Sequence, residues 1–171
     1  MYTMRKVIVI GCPGSGKSTF ARKLRALTGL PLYHLDMMYW NEDKTTVERE
    51  VFDSRLKDAM ATSKWIIDGN YARTMEIRLA GCDTVFFLDY PTEVCLEGIE
   101  SRKGKSRSDM PWTENSSDDE FVSFVKNYNE NNRPEVIKLL EKYSDKNIFV
   151  FRSRAESENF LSELPLKGNA L

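Results

Sequence analysis

Apolar residues run along the chain in two alternating rhythms. Short continuous runs rich in β-branched and aromatic residues read as strands covered on both faces: KVIVI at 6–10, WIID within KWIIDG, TVFFL within DTVFFLD, and NIFVF near the C-terminus. PLYHLD reads as a further strand, the second along the chain. Between these runs the spacing changes to three and four. Phe20, Leu24 and Leu27 recur among Arg22, Lys23 and Arg25, and Gly29 stands where a helix C-cap belongs. VEREVFDSRLKDAMATS, ARTMEIRLA, PTEVCLEGIESRKG with Pro91 at its start, and SRAESENFLSEL follow the same helical spacing. Strands alternating with helices predict a parallel α/β sheet with right-handed crossovers.

One stretch interrupts the alternation. Residues 103–119, KGKSRSDMPWTENSSDD, are polar, hold Gly104 and Pro111, and are long for a connection in a compact domain, which predicts a functional lid. The helical stretch behind it, EFVSFVKNYNENNRPEVIKLLEKYS, should bend or break near Pro134, and the tail KGNAL should fray.

Composition narrows the picture. The 171 residues fit one domain, 1–171, large enough to bury a core without staples. The formal charge of −1 supplies no long-range field for nucleic acid or anionic lipid. Three cysteines, Cys12, Cys82 and Cys95, and a single histidine, His34, leave no zinc pattern and suit a reducing cytoplasm. No apolar run is long enough for a membrane span, and the N-terminus reaches Gly11 too early for a signal peptide.

The chemistry begins behind the first strand, where GCPGSGKST places Gly11, Cys12, Pro13, Gly14, Ser15, Gly16, Lys17, Ser18 and Thr19 between a strand and an amphipathic helix. The glycines let backbone N–H groups wrap a phosphate, and the helix N-terminus adds unpaired donors and a positive dipole end. Lys17 would reach the β- and γ-phosphates, and Ser18 would put its hydroxyl on magnesium. A bound nucleoside triphosphate is the expectation.

Asp36 and Asp68 sit at the ends of predicted strands, where open parallel sheets bind ligands. Each could hold magnesium through water or take a proton from an attacking hydroxyl. Asp89, before Pro91, is explained nearly as well by a turn. Arg102, Lys105 and Arg107 form a basic patch on the lid segment, suited to charge spread over a transferred phosphoryl group, and Arg133 could close from the other side. Asp36, Trp40, Asn70, Tyr71, Arg73 and Arg78 are candidate acceptor contacts, with Tyr33, Met37, Met38 and Tyr39 as either pocket or core.

Taken together, GCPGSGKST, LDMMYW, IIDGNYAR, RLAGCDTVFFLDYP, NYNENNRP and FRSRAESENFL resemble the P-loop small-molecule kinases of the nucleoside monophosphate kinase type. The resemblance is nearest to the adenylate-kinase-related proteins named DNA topology modulation proteins. It implies a three-layer P-loop fold, a five-stranded parallel sheet ordered 2-3-1-4-5 and flanked by helices, with a short lid. It implies that Asp36 and Asp68 arrange magnesium waters, that Arg102 and Arg107 hold ATP and the transferred group, and that Arg152 and Ser153 border the donor base. Two departures bear on the acceptor. Arg73 falls one residue late in DGNYAR, and Phe124 stands where that family carries an acceptor-phosphate arginine, four residues before Tyr128.

The sequence therefore predicts an ATP- and magnesium-dependent kinase of small molecules, a monomer or homodimer. A regulatory ATP-binding protein with a degenerate acceptor site is the rival reading. A protein acting directly on DNA would need a basic footprint and a groove-reading element, and the chain has neither.

Overall fold

The structure is a computed structural model that describes residues 3–113 and 118–165. The four lid positions 114–117 and the predicted fraying of KGNAL lie outside the described residues. The chain runs β1 (Lys6–Gly11), α1 (Lys17–Thr28), β2 (Leu32–His34), α2 (Leu35–Tyr39), α3 (Arg49–Ala61), β3 (Trp65–Asp68) and α4 (Ala72–Gly81). It continues with β4 (Thr84–Leu88), α5 (Thr92–Ser101), α6 (Asp119–Asn131), α7 (Arg133–Lys142), β5 (Asn147–Phe151) and α8 (Arg154–Glu163). All strand pairings are parallel, in the order β2-β3-β1-β4-β5.

β1 is central, and its register explains the continuous apolar run. Ile8 pairs with Ile67 on one side and Val85 on the other, and Val7 through Ile10 are fully buried. Alternate side chains go to opposite layers. Val7 and Val9 join Phe20, Leu24, Cys95 and Val125 from α1, α5 and α6, whereas Ile8 and Ile10 join Phe52, Leu56, Met75 and Leu140 from α3, α4 and α7. Each such aliphatic burial contributes about 1.5–3 kcal/mol, so a charge at Ile8 would leave β1 without a layer to pack on.

Two boundaries differ in character. β2 is an edge strand of three residues, and its neighbour β3 stops at Asp68 opposite His34. With no partner to extend along, the chain turns into α2, which places Asp36 in the first turn of a short helix instead of at a strand end. The expected break near Pro134 falls at Asn132, with Pro134 in the first turn of α7, where its missing N–H costs nothing. α1 ends as expected at Gly29, whose N–H closes on the Arg25 carbonyl oxygen at 2.7 Å.

No described helix is long and apolar enough to cross a membrane. The C-terminal ends of β1 and β3 open together beneath the lid segment, at the point where the strand order reverses beside β1.

Candidate active site

The glycine-rich loop leaves β1 at Gly11 and enters α1 at Lys17. α1 has no side-chain cap, so the N–H groups of its first turn stay open to an anion. The loop is held from behind by backbone contact. A Cβ on Gly14 would stand 2.0 Å from the Cys95 carbonyl oxygen, and one on Gly98 would stand 1.9 Å from the Gly14 carbonyl oxygen. Only hydrogen fits at either position. Arg154, the first residue of α8, donates from Nη1 to the Ser15 carbonyl oxygen at 3.0 Å and from Nη2 to that of Gly14 at 3.3 Å. Lys17 Nζ donates to the Cys12 carbonyl oxygen at 3.3 Å.

Ser18 lies at a junction of carboxylates. Its Oγ is 2.9 Å from Asp68 Oδ2 and 2.8 Å from Asp109 Oδ2. One hydroxyl proton serves only one carboxylate at a time, so the other faces a lone pair. That is a setting suited to a cation. Asp68 is buried, its Oδ2 lies 2.7 Å from His34 Nδ1, and its Oδ1 is buried without a hydrogen-bond partner. Among the described residues no group of three or more His, Cys, Asp or Glu side chains could hold a metal ion directly. A magnesium ion keeping most of its waters would fit oxygen donors of this kind.

Asp36 and Tyr71 form the next layer. The Tyr71 hydroxyl donates to Asp36 Oδ1 at 2.5 Å from a residue at φ 40°, ψ 73°, a left-handed conformation that costs a non-glycine residue about 1–3 kcal/mol. Burial raises the Asp36 carboxyl above its ordinary range against the lowering effect of Tyr71, and the Asp68 charge adds to the rise. Asp109 goes the other way. Burial would push it up, but the Arg107 charge and the Ser18 hydroxyl outweigh burial and hold it low.

Asn70 ties this loop to the end of β1, donating from Nδ2 to the Gly11 carbonyl oxygen at 2.6 Å and accepting the Gly11 N–H at 3.1 Å. Beneath it lies Arg78, expected as an acceptor contact on a helix surface. It is instead fully buried and donates to the carbonyl oxygens of Gly69 at 2.9 Å, Asn70, and Tyr71 at 3.2 Å. Burial pushes its guanidinium down to about 10. Its task is to hold the 69–71 loop in shape.

A cavity of about 890 Å³ runs from the glycine-rich loop to an aromatic far end. Lys17, Ser18, Asp36, Asp68, Arg102 and Arg107 all line it, as do Trp40, Asn70 and Tyr71. Arg102 caps α5 with its guanidinium 5.6 Å from the Phe121 ring centroid, and Arg107 lies 3.7 Å from Asp109. Eight predicted residues stand outside the cavity lining: Gly11, Cys12 and Ser15 behind the loop, Arg78 beneath it, and Arg133, Arg152, Ser153 and Arg73. Arg133 binds Asp89 through two contacts of 2.8 Å, and Arg152 reaches the same carboxylate at 3.3 Å. Ser153 caps α8 by accepting the Glu156 N–H at 3.2 Å. Arg73 pairs with Asp53 on the surface, beside a separate smaller hollow. The buried Asp89 carboxylate holds Arg133 and Arg152, the N-terminus of α8 holds Ser153, and Asp53 of α3 holds Arg73.

Asp109, Arg154 and Trp112 were not singled out in the sequence. Arg154 sits two positions beyond Arg152, one helical turn's start away from the residue that was. Asp109 has only its place in the lid, two residues after Arg107, as a signal. Trp112 meets Trp40 edge to face with ring centroids 5.7 Å apart.

No family model matches the chain. It is 29% identical over 109 residues to an adenylate kinase of Thermotoga maritima, covering 60% of this chain and 49% of that protein. It is also 29% identical over 94 residues to an adenylate kinase of Thermotoga petrophila, covering 53% of this chain and 42% of that one. The chain thus spans about half the length of these relatives. A shikimate kinase from Bacteroides thetaiotaomicron aligns at a TM-score of 0.54 and 21% identity, over 95% of this chain and 97% of that one. The fold is that of the P-loop kinases. It has a five-stranded parallel sheet in the order β2-β3-β1-β4-β5 flanked by helices.

Proposed function

We propose that the chain transfers the γ-phosphoryl group of ATP to a hydroxyl group of a small acceptor, in the manner of an adenylate-kinase-like enzyme. The observation that carries this reading is one cavity holding the open N-terminus of α1, Lys17 and Ser18 at one end and the Asp36–Tyr71 pair at the other. The similarity to adenylate kinases supports it.

Lys17 and the loop N–H groups bind the phosphates, and Arg102 and Arg107 reach the same space from the lid side. Asp36, held by Tyr71 and raised by burial, orients the acceptor hydroxyl and takes its proton. Lid residues Asp109 and Trp112 exclude water above Ser18. Magnesium, held by Ser18 with Asp68 and Asp36 behind water, supplies neutralising charge when bound. Three buried free cysteines, Cys12, Cys82 and Cys95, fit work in a reducing cytoplasm.

The contact between Asp109 and Ser18 favours a second reading, a regulatory ATP-binding protein in which the lid carboxylate and the nucleotide compete for one hydroxyl. Titration calorimetry with ATP and a coupled ADP-release assay separate the two. Acceptor-stimulated ADP release supports transfer. Tight ATP binding with no stimulation by any nucleoside, nucleotide or hydroxylated metabolite overturns it. A DNA-directed role would show as salt-dependent retention of duplex DNA in filter binding, and background retention at low salt removes it.

A further inference from the structure

The far half of the cavity carries an acceptor chemistry that the reading above leaves open. Its walls are aromatic. Trp40 and Trp112 meet at 84°, Tyr39 stands edge-on to Trp40 at 5.3 Å, and Phe124 faces the cavity with 43% of its surface exposed. The Trp112 indole N–H is buried without a hydrogen-bond partner among the described residues, a donor aimed at no protein group. Rings stack on such walls, and an unpaired N–H selects a ligand with a matching acceptor atom.

The carboxylate at this end is Asp36, while Asp68 and Asp109 stand at Ser18, where Arg22 and Arg107 lie 3.9 Å and 3.7 Å from Asp109. Three further arginines named from the sequence are committed elsewhere: Arg73 to Asp53, Arg78 to the 69–71 carbonyls, Arg133 to Asp89. An acceptor bringing its own phosphate would meet the Asp36 carboxylate and Phe124 in a partly desolvated space.

We infer that the acceptor is a neutral, ring-bearing alcohol of the nucleoside class, and not a nucleoside monophosphate. The ring lies against Trp40 and Trp112, and the hydroxyl lies at Asp36. The inference rests on the phosphoryl transfer proposed above. In that step the acceptor oxygen forms a bond to the γ-phosphorus as the bond to the β,γ-bridging oxygen breaks. ADP leaves with the electron pair, and the hydroxyl proton passes to the Asp36 carboxylate and then to solvent.

The test uses the full chain with magnesium. Calorimetry with saturating AMPPNP compares adenosine, cytidine and thymidine with their 5′-monophosphates, and a parallel ADP-release assay uses ATP. At least one nucleoside should bind tenfold or more tighter than its own monophosphate. Equal or tighter binding of every monophosphate overturns the inference, as does the absence of binding by all three nucleosides. Nucleoside binding without ADP release supports the acceptor class and overturns only the transfer reaction. ADP release driven by monophosphates alone does the reverse. Phe124→Arg, at an exposed position, should tighten monophosphate binding tenfold or more, and an unchanged preference counts against the inference. Trp112→Ala, checked for folding by circular dichroism, should weaken nucleoside binding about tenfold; unchanged affinity overturns the assigned wall.

Discussion

The two ends of the cavity are built on different principles. At the donor end the geometry comes from backbone: consecutive residues of one loop, a helix N-terminus, and glycines pressed against α5 with no room for a Cβ. At the acceptor end it comes from side chains of distant segments, Asp36 from α2 and Trp40 just after it, Asn70 and Tyr71 from the loop after β3, Trp112 from the lid. Backbone geometry of this kind tolerates almost no substitution. Side-chain geometry can change one residue at a time, which is how one fold accommodates many acceptors. Arg78 and Asn70 join the halves, one fixing the acceptor loop from below and the other lacing it to Gly11.

The sharpest way to break this contrast is at Lys17. Lys17→Ala should lower acceptor-stimulated ADP release by about a thousandfold or more, with the melting temperature held, since the residue serves a ligand and not the core. Full activity in that variant would remove the donor assignment.

Arg78→Ala probes the joint. Three carbonyl oxygens would lose their donor in a fully buried place, so a stability loss of about 3 kcal/mol is expected, seen as a fall of about 6–12 °C in melting temperature. A loss of activity at full stability would instead make Arg78 a ligand-contacting residue.

Asp36→Asn separates function from stability at the acceptor end. The folded-state pKa of Asp36 is raised, so its protonated form is the one folding favours; that contribution is complete below the ordinary carboxylate range and fades as pH rises through the raised value. At neutral pH the ionised carboxylate therefore costs stability, and the amide should raise the melting temperature by about 2–4 °C while turnover falls about a hundredfold. The gain should vanish in acid. A melting temperature that falls at pH 7.5 would contradict the burial argument. Arg73→Ala is the smallest change: its pair with Asp53 lies on the surface, so neither melting temperature nor turnover should move measurably.

How far the sequence was legible follows the same division. The P-loop and the sheet were readable because contiguous residues and continuous apolar runs buried on both faces carry them, with β1 the clearest case. The strand order came through resemblance. Asp36, Asp68, Asn70 and Tyr71 were found because they follow strand ends. Arg78 misled because α4 buries Thr74, Met75 and Arg78 and exposes Ile77, and nothing local reveals that the loop before it needs donors from beneath. Asp109 and Arg154 reach the site only through tertiary folding, across 91 and 139 positions of chain to Ser18 and Ser15.

The seam between Gly14 and α5 has a mechanical consequence. With two carbonyl oxygens occupying the places of absent side chains, the phosphate loop is seated directly on the helix that leads into the lid. Gly104, at φ 70° with nothing near the place of its Cβ, is the first left-handed residue past α5, in a turn closed by the Lys105 N–H on the Arg102 carbonyl oxygen at 3.2 Å. A lever with its pivot there would carry Arg107, Asp109 and Trp112 together on its moving arm and leave Arg102 on the fixed one. Opening would then strip the acceptor end of its roof while the donor's phosphates kept their seat.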